Sequence, residues 1–453
     1  MVSLSKLSIA SECVQTATYR LFGQRSVACF FASLFLLFSI TAFSAPPRNL
    51  PYYLQQAEAN SPLIHKAVND NQVVTLNLSQ MQSVLRQPQV SINANMLLAP
   101  IVSHDNGTHR IQLASSGADR YNGYDLAVTD GGQYQALLSV QQPLFTQKSY
   151  RTYAQQSAIS RQVNDNTIRL TKHEIEQLVS RQYILCLTAK FQLANSGEQL
   201  KAITEQLEIM HMLVANAIYK QTDEMLLQIE RQNYQDTYAT NRVDYITNLY
   251  DLNALCGIHD TTVVDIEEMH FNLNRLPVTQ SLFSTSYTLD SLVLTADLKI
   301  NDLKYLPQVS LIANGGLNAS YLPTLNRFGV SAGLTFSWTL YDGHQRKFEQ
   351  QKTQFGLKNI AFDKQLFTVQ QNTNKDKIIR QIAALDEHLR SLREQLNSYA
   401  SLTSAYELQL KHGNISVMDY KNLMKDVAAK KQEIIMSQME KEALISSYNY
   451  WNY

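Results

Sequence analysis

The sequence predicts an α+β chain in which two long antiparallel helical hairpins each follow a pair of β-strands, the whole arrangement being written twice. Three observations carry this. Short motifs recur in the same order in both halves, the stretch between two of them has the same length each time, and the apolar spacing inside that stretch is helical while the spacing before it alternates. QPQVSINAN pairs with LPQVSLIAN, setting Pro88 against Pro307. Farther on, SVQQPLFTQK pairs with TFSWTLYDGH, Pro143 against Thr339, and ANAIYKQTD pairs with KHGNISVMD, Ala217 against Gly413 and Asp223 against Asp419. The interval from strand motif to turn motif is therefore identical in the two halves, running from Pro143 to Ala217 and from Thr339 to Gly413. An unchanged length over so long a span reads as a rigid element whose two copies end level, and internal repeats decide architecture before any local feature does. The first half is the longer between its two strand motifs, Pro88 to Pro143 against Pro307 to Thr339, where a loop absorbs the difference.

The spans are built as helices. The first has no proline after Pro143 and the second has none, which matters because proline costs about 3 kcal/mol in a helix interior. Leu385, Leu389, Leu392, Leu396, Tyr399, Thr403, Tyr406 and Leu410 step by four and three alternately. The same steps in the first copy give Ala189, Leu193, Ser196, Leu200, Ile203, Leu207, Met210 and Val214. A period of 3.5 keeps one seam against a partner helix. The long helices are expected over about 147–215 and 343–411, with return helices over about 223–255 and 417–450. Between them Gly413 suits the left-handed residue that ends a helix, and in the first copy, where Ala217 stands at that position, Asn216 is expected to take the left-handed conformation.

Strands are expected at about 88–102 and 133–146 in the first repeat and at about 307–321 and 328–341 in the second. In GVSAGLTFSWTLY, Val330, Ala332, Leu334, Phe336, Trp338 and Leu340 fall on one face and small polar residues on the other, a period of two. A tilted strand crosses a bilayer in about 9–11 residues, so these suffice; a soluble β-domain fits them equally well. The amino terminus weighs on the choice. Val27–Phe43 is apolar, follows Lys6, Arg20 and Arg25 and precedes TAFSAPP, a secretory signal over residues 1–44 with cleavage after Ser44. The repeats then occupy 45–280 and 281–453. No other stretch is apolar for so long, and an exported chain without spanning helices enters a bilayer only as a closed barrel.

The signal takes Lys6, Arg20, Arg25 and Glu12 with it, so basic and acidic residues stay nearly balanced in the mature chain. That balance, without a basic cluster, argues against nucleic acid. There is no phosphate loop, HExxH, GxSxG or paired-cysteine motif, so no enzyme and no cofactor are expected. Met210-His211-Met212 offers soft metal donors, but Met210 already belongs to the helical seam, and no metal site is assigned.

The order, spacing and duplication of these motifs resemble the TolC-type outer-membrane efflux proteins. The residues that carry the resemblance are the strand starts YLPQVSLIAN and QPQVSINAN, the strand-to-helix passages FSWTLYDGHQRK and VQQPLFTQKSYR, the turns GNISVMDYKNL and NAIYKQTDEML, and the opening QQAEANSPLI. It spans the chain from about Asn49 onward. It implies a homotrimer in which four strands per chain build one 12-stranded barrel in the outer membrane, in contact with its lipid, above an α-helical tunnel across the periplasm. It also implies a passive exit duct for efflux or type I secretion, docked to a periplasmic adaptor and an inner-membrane transporter. Independently, four strands cannot close a barrel and eight would leave a filled interior, so a pore needs three or more chains. By the same resemblance the tip turns at Asn216, Ala217, Gly413 and Asn414 are the adaptor contact, and Asp419 matches an acidic residue near the tunnel mouth. Asn422 stands where a second acid is often found, and Asp223 is the first-repeat counterpart of Asp419. An acid in the first turn of a helix also has an ordinary role against the helix dipole. Cys186 and Cys256, the only cysteines after the signal, are roughly level if the hairpin turns at residue 221; two inert buried thiols or a disulfide both fit. The rival readings are an exported coiled-coil spacer or adhesin, which needs no alternating strands, and a periplasmic adaptor, which carries one hairpin rather than two.

The extra length of the first half is expected in a polar, glycine-containing loop over about Ser103–Gly132 at the cell surface. An epitope inserted near Ser116 is expected to be labelled on intact cells; labelling only after permeabilisation would reverse the strand topology.

Overall fold

The long helices set the frame. The structure, a computed structural model, describes residues 48–453 apart from 114, 116–117, 125–132, 277–280 and 321–326; residues 1–44, expected to be a signal, lie outside the described residues. In chain order the elements are α1 (Leu50–Asn60), α2 (Pro62–Arg86), β1 (Gln89–Leu97), β2 (Ile101–Ser103), β3 (Arg110–Gln112), β4 (Tyr121–Asn122), β5 (Gln133–Leu144), α3 (Gln147–Ala215), α4 (Gln221–Leu255), α5 (Leu282–Asp302), β6 (Gln308–Ser320), β7 (Phe328–Ser337), α6 (Gln345–Lys411) and α7 (Val417–Trp451). At ~1.5 Å per residue the 69 residues of α3 and the 67 of α6 each run about 100 Å. The seam expected from the 4-3 spacing is the packed one: Ile203, Met210, Leu389, Leu392 and Leu410 are buried, and the remaining seam residues are at least half-buried. Ser196, the polar interruption, is buried too and donates its hydroxyl to Leu193 O at 2.9 Å.

β1, β5, β6 and β7 form one antiparallel sheet in the order β1-β5-β6-β7. Its register lays Val90 beside Val140, Val140 beside Ala313, and Ala313 beside Ala332. One face therefore carries Ile92, Leu138, Leu334 and Phe336, and the other Ser91, Ser139, Asn314 and Ser331. β1 and β7 are both edge strands. The apolar face is bare in the single chain, with Ile92 79% and Val330 84% exposed.

Two strands end sooner than the sequence pattern indicates. The strand expected to reach residue 102 stops at Leu97, because Pro100 has no N–H to give a ladder. Ile101–Ser103 then joins a separate three-stranded sheet, β3-β2-β4, whose two outer strands lie inside the segment read as a loop. The strand expected to reach 341 stops at Ser337, whose ladder partner Gln308 is the first residue of β6. Trp338 instead turns its indole N–H to Tyr305 O at 3.3 Å.

Three helices have no counterpart in the periodicity reading: α1, α2 and α5. Ser61 caps α2 by accepting from Ile64 N–H, with Pro62 in the first turn, and Ser281 precedes α5. With α2 and α5 included, both halves follow the same order of helix, two long strands, long helix and return helix. The strand-to-helix junctions are fastened by a cation over a ring in each half. Arg86 lies 4.0 Å over the Tyr150 ring, and Arg346 lies 5.2 Å over the Tyr305 ring. In the alignment that sets Pro88 against Pro307, Tyr305 is the counterpart of Arg86; in the one that sets Pro143 against Thr339, Arg346 is the counterpart of Tyr150. The two halves thus place the cation and the ring on opposite partners.

The main core lies where α1, α3, α4 and the segment after α4 meet. Tyr53, Tyr183, Leu249, Leu252 and Ile266 are fully buried there. Arg48 and Glu267 clasp this segment through Arg48 N–H to Asp265 O and Glu267 N–H to Arg48 O, both 3.1 Å. Tyr183 completes the clasp, its hydroxyl donating to Glu267 O at 2.5 Å and reaching Arg48 O at 3.3 Å. Removing it takes the side-chain donor from Glu267 O, at about 1 kcal/mol, while Arg48 O keeps its bond from Glu267 N–H. Tyr183→Phe is therefore expected to lower the thermal midpoint and to speed proteolysis within residues 258–276. No change in either would mean that the backbone ladder alone holds the segment.

Candidate functional site

The sequence places its candidate site residues at the turns of the two hairpins, and the structure brings those turns together. Each long helix ends in the same capping arrangement. Ala217 N–H donates to Val214 O and Ile218 N–H to Leu213 O, both at 2.9 Å; Gly413 N–H donates to Leu410 O at 3.2 Å and Asn414 N–H to Gln409 O at 2.9 Å. These are the two crossed bonds of a Schellman motif, which fixes Ala217 and Gly413 as the left-handed residues. Their φ angles are +59° and +70°. The expectation for Asn216 is thereby corrected: it has φ −88°, and its side-chain amide donates to Met212 O at 2.8 Å. The motif decides which residue turns left-handed, and the residue type does not override it. Asn414 is exposed, as are Asn216 and Ala217.

The two turns touch. Tyr219 donates its hydroxyl to Ile415 O at 2.8 Å. A β-carbon added at Gly413 would lie 2.8 Å from Ile218 Cγ2, so that side chain would have to shift in addition to the cost set by φ. Beneath them Ile203, Met210, Leu227 and Tyr234 of the first hairpin pack with Leu410, Val417 and Tyr420 of the second in one core. Met210 is wholly buried and His211 faces Glu224 at 3.1 Å, so the Met-His-Met run does not converge on one point. Among the described residues no group of three or more His, Cys, Asp or Glu side chains is placed to hold a metal ion.

The two acids differ. Residue 220 is lysine, which cannot accept a capping bond, and the Asp223 carboxylate reaches back to Lys220 N–H at 3.1 Å instead. In the second copy Ser416 caps the helix itself, accepting from Met418 N–H at 3.1 Å. Asp419 is left exposed and outside the cap. Asn422 is exposed one turn on, and Asp426 one further turn along the same face, an acid that the motif comparison passed over. The signal for it was present, since its counterpart in the first repeat is Glu230. That counterpart is 3% exposed and pairs with Lys425 at 3.6 Å, tying the hairpins together. Lys431 and Glu198 make a second such tie at 3.2 Å.

Cys186 and Cys256 are free and buried. Cross-hairpin bonds from Gln182 to Asn248 and from Asn241 to Gln192 set the register, and they put Cys186 level with the neighbourhood of Tyr245. Cys256 lies roughly ten residues farther along, about 15 Å of helix, so the pair is not level as a turn centred on 221 would make it. Burial pushes both thiols up to about 12, with Asp251 and Cys256 adding to the effect at Cys186. Thiols held protonated in this way are poor nucleophiles.

No protein-family model and no curated protein sequence matches the chain. Solved outer-membrane channels do match its structure. VceC of Vibrio cholerae superposes with a TM-score of 0.63 at 12% identity, over 89% of this chain and 96% of its own. CmeC of Campylobacter jejuni gives 0.63 at 11%, over 89% and 85%. The open state of MtrE of Neisseria gonorrhoeae gives 0.64 at 12%, over 89% and 88%. The chain has the fold of these outer-membrane channels, as the resemblance to the TolC-type proteins implies.

A left-handed conformation costs a residue with a β-carbon about 1–2 kcal/mol. Ala217→Gly is therefore expected to leave the first tip equally stable or up to about 1 kcal/mol more stable, offset in part by the freer unfolded glycine. Gly413→Ala is expected to weaken the second tip by about 1–2 kcal/mol. Amide exchange over residues 214–220 and 410–416 reads both, and the opposite order would overturn the cap assignment.

Proposed function

We propose that the chain is the outer-membrane exit duct of a tripartite efflux or secretion machine, a passive channel and not an enzyme. The observation that carries this is the sheet with two open edges and one bare apolar face, joined directly to the long hairpins. An edge strand is a template for further pairing, and a bare apolar face of this size is unfavourable in water. Joining β7 of one copy to β1 of the next satisfies the edges, and lipid covers the face. Three copies then give 12 strands and a pore, and the duplicated hairpins of the three form the periplasmic tunnel. No helix among the described residues is long and apolar enough to cross a membrane, a criterion that does not apply to barrels. The likeness to outer-membrane channels supports the same reading. The tips at Asn216, Ala217, Gly413 and Asn414 meet the periplasmic adaptor, and an inner-membrane transporter supplies the energy. A spacer or adhesin has no use for a two-faced sheet at the head of each hairpin.

The mature protein is expected in the outer-membrane fraction as a detergent-stable trimer; a soluble periplasmic monomer would end this reading. At the tips, three copies of Asp419 share a narrow mouth and attract cations. Asp419→Ala is expected to lower cation preference in single-channel recordings, and Asp223→Ala, which removes a cap, to change it less. Equal effects would reject the distinction between the two acids.

A further inference from the structure

None of the residues in β1, β5, β6 and β7 is ionisable as Asp, Glu, Lys, Arg or His. On the polar face the register aligns Ser91, Ser139, Asn314 and Ser331 in one row across all four strands. A second row holds Asn95, Gln135 and Asn318, with Gln135 Nε2 donating to Asn318 Oδ1 at 3.3 Å. In β7 the polar face carries only glycine and small hydroxyl residues, Gly329, Ser331, Gly333, Thr335 and Ser337, which leaves room rather than filling it. The surface is therefore rich in donors and acceptors and has no fixed charge. Asn314 stands at the centre of β6, about 20 Å from either end at ~3.3 Å per residue. Counted along the strands, Arg86 and Asp342 below the sheet stand farther from Asn314 than the ~8 Å over which salt leaves a field appreciable.

Selectivity in pores arises from rings of charged side chains, from ordered carbonyl dipoles or from constrictions. The first is missing here, and the polar side chains are amides and hydroxyls that offer donors and acceptors together. We propose that this face is an electroneutral stretch of the export path, one that hydrogen-bonds polar cargo of either charge and selects neither. This rests on the duct reading, in which the polar face turns to the lumen. It assigns charge discrimination to the helical part of the path and makes the barrel a hydrated passage for anionic, cationic and neutral solutes alike.

The test is thiol labelling of the purified mature assembly, without residues 1–44 and so without Cys13 and Cys29, in a non-ionic detergent. The probes are a cationic trimethylammonium and an anionic sulfonate methanethiosulfonate. The native thiols Cys186 and Cys256 are buried and serve as the unlabelled background. Asn314→Cys and Ser331→Cys place a thiol on the polar face of two strands, and Ala313→Cys places one on the apolar face. The expected result is labelling at 314 and 331 and protection at 313 under detergent. The cation-to-anion rate ratio, normalised to that of a free small thiol, is expected within about threefold of one at both polar positions. A skew of tenfold or more at 314 and 331 would overturn the neutral passage and leave the duct standing. Labelling at 313 with protection at 314 would overturn the duct reading, and with it this inference. Labelling of all three or of none would reject the two-faced sheet on which both depend.

Discussion

One constraint governs this molecule: two helical hairpins of about 100 Å must finish at the same level, because their tips share a core. Ile203 and Met210 cannot meet Leu410 and Val417 unless α3 and α6 run the same distance from the sheet. A single residue added to one would rotate its seam by about 100° and lift its tip by about 1.5 Å. The fixed interval between strand motif and turn motif follows from this, and so does the repetition of one capping motif at both turns. The variable length sits at the other end, beyond the strands, where nothing must meet anything at a set height.

The parts of the fold that depend on long-range periodicity were legible in the residues. Proline-free composition and 4-3 spacing mark α3 over Gln147–Ala215, and its seam packs as the spacing requires. Shorter stripes were passed over rather than absent. In α2, Ile64, Ala67, Val74, Leu78, Met81 and Leu85 step by three and four, with Asn71 as the polar interruption, and they are the residues that face inward, while Val73 and Leu76 on the other side remain exposed; the cap at Ser61-Pro62 was a second local sign. Strand ends were misplaced where pairing, rather than composition, sets the limit, as at Ser337. The thiols are out of register because the hairpin is centred near residue 216 rather than 221, an error of position that doubles across a hairpin.

At the tips, sequence reasoning found the right neighbourhood and could not sort its occupants. Asp223 and Asp419 are counterparts by spacing and carry the same group. What separates them is the residue one helical turn earlier: lysine at 220 leaves a cap for Asp223 to supply, and serine at 416 frees Asp419 from it. Asp426 escaped notice for a similar reason, since its counterpart Glu230 has been drawn into the interior and paired. Equivalent positions have thus taken up unlike duties, one holding the hairpins together and the other facing water.

The fastenings between sheet and struts carry this divergence furthest. In one half the arginine comes from the end of the preceding helix and the ring from the first turn of the long one; in the other half the sources are reversed. Either arrangement is sound by itself. A chain assembled by splicing the first part of one half onto the second part of the other would set arginine against arginine at one junction and tyrosine against tyrosine at the next. The two halves have kept a common plan while ceasing to be exchangeable in pieces, so that any recombination between them that preserves the joint must carry both sides of it together.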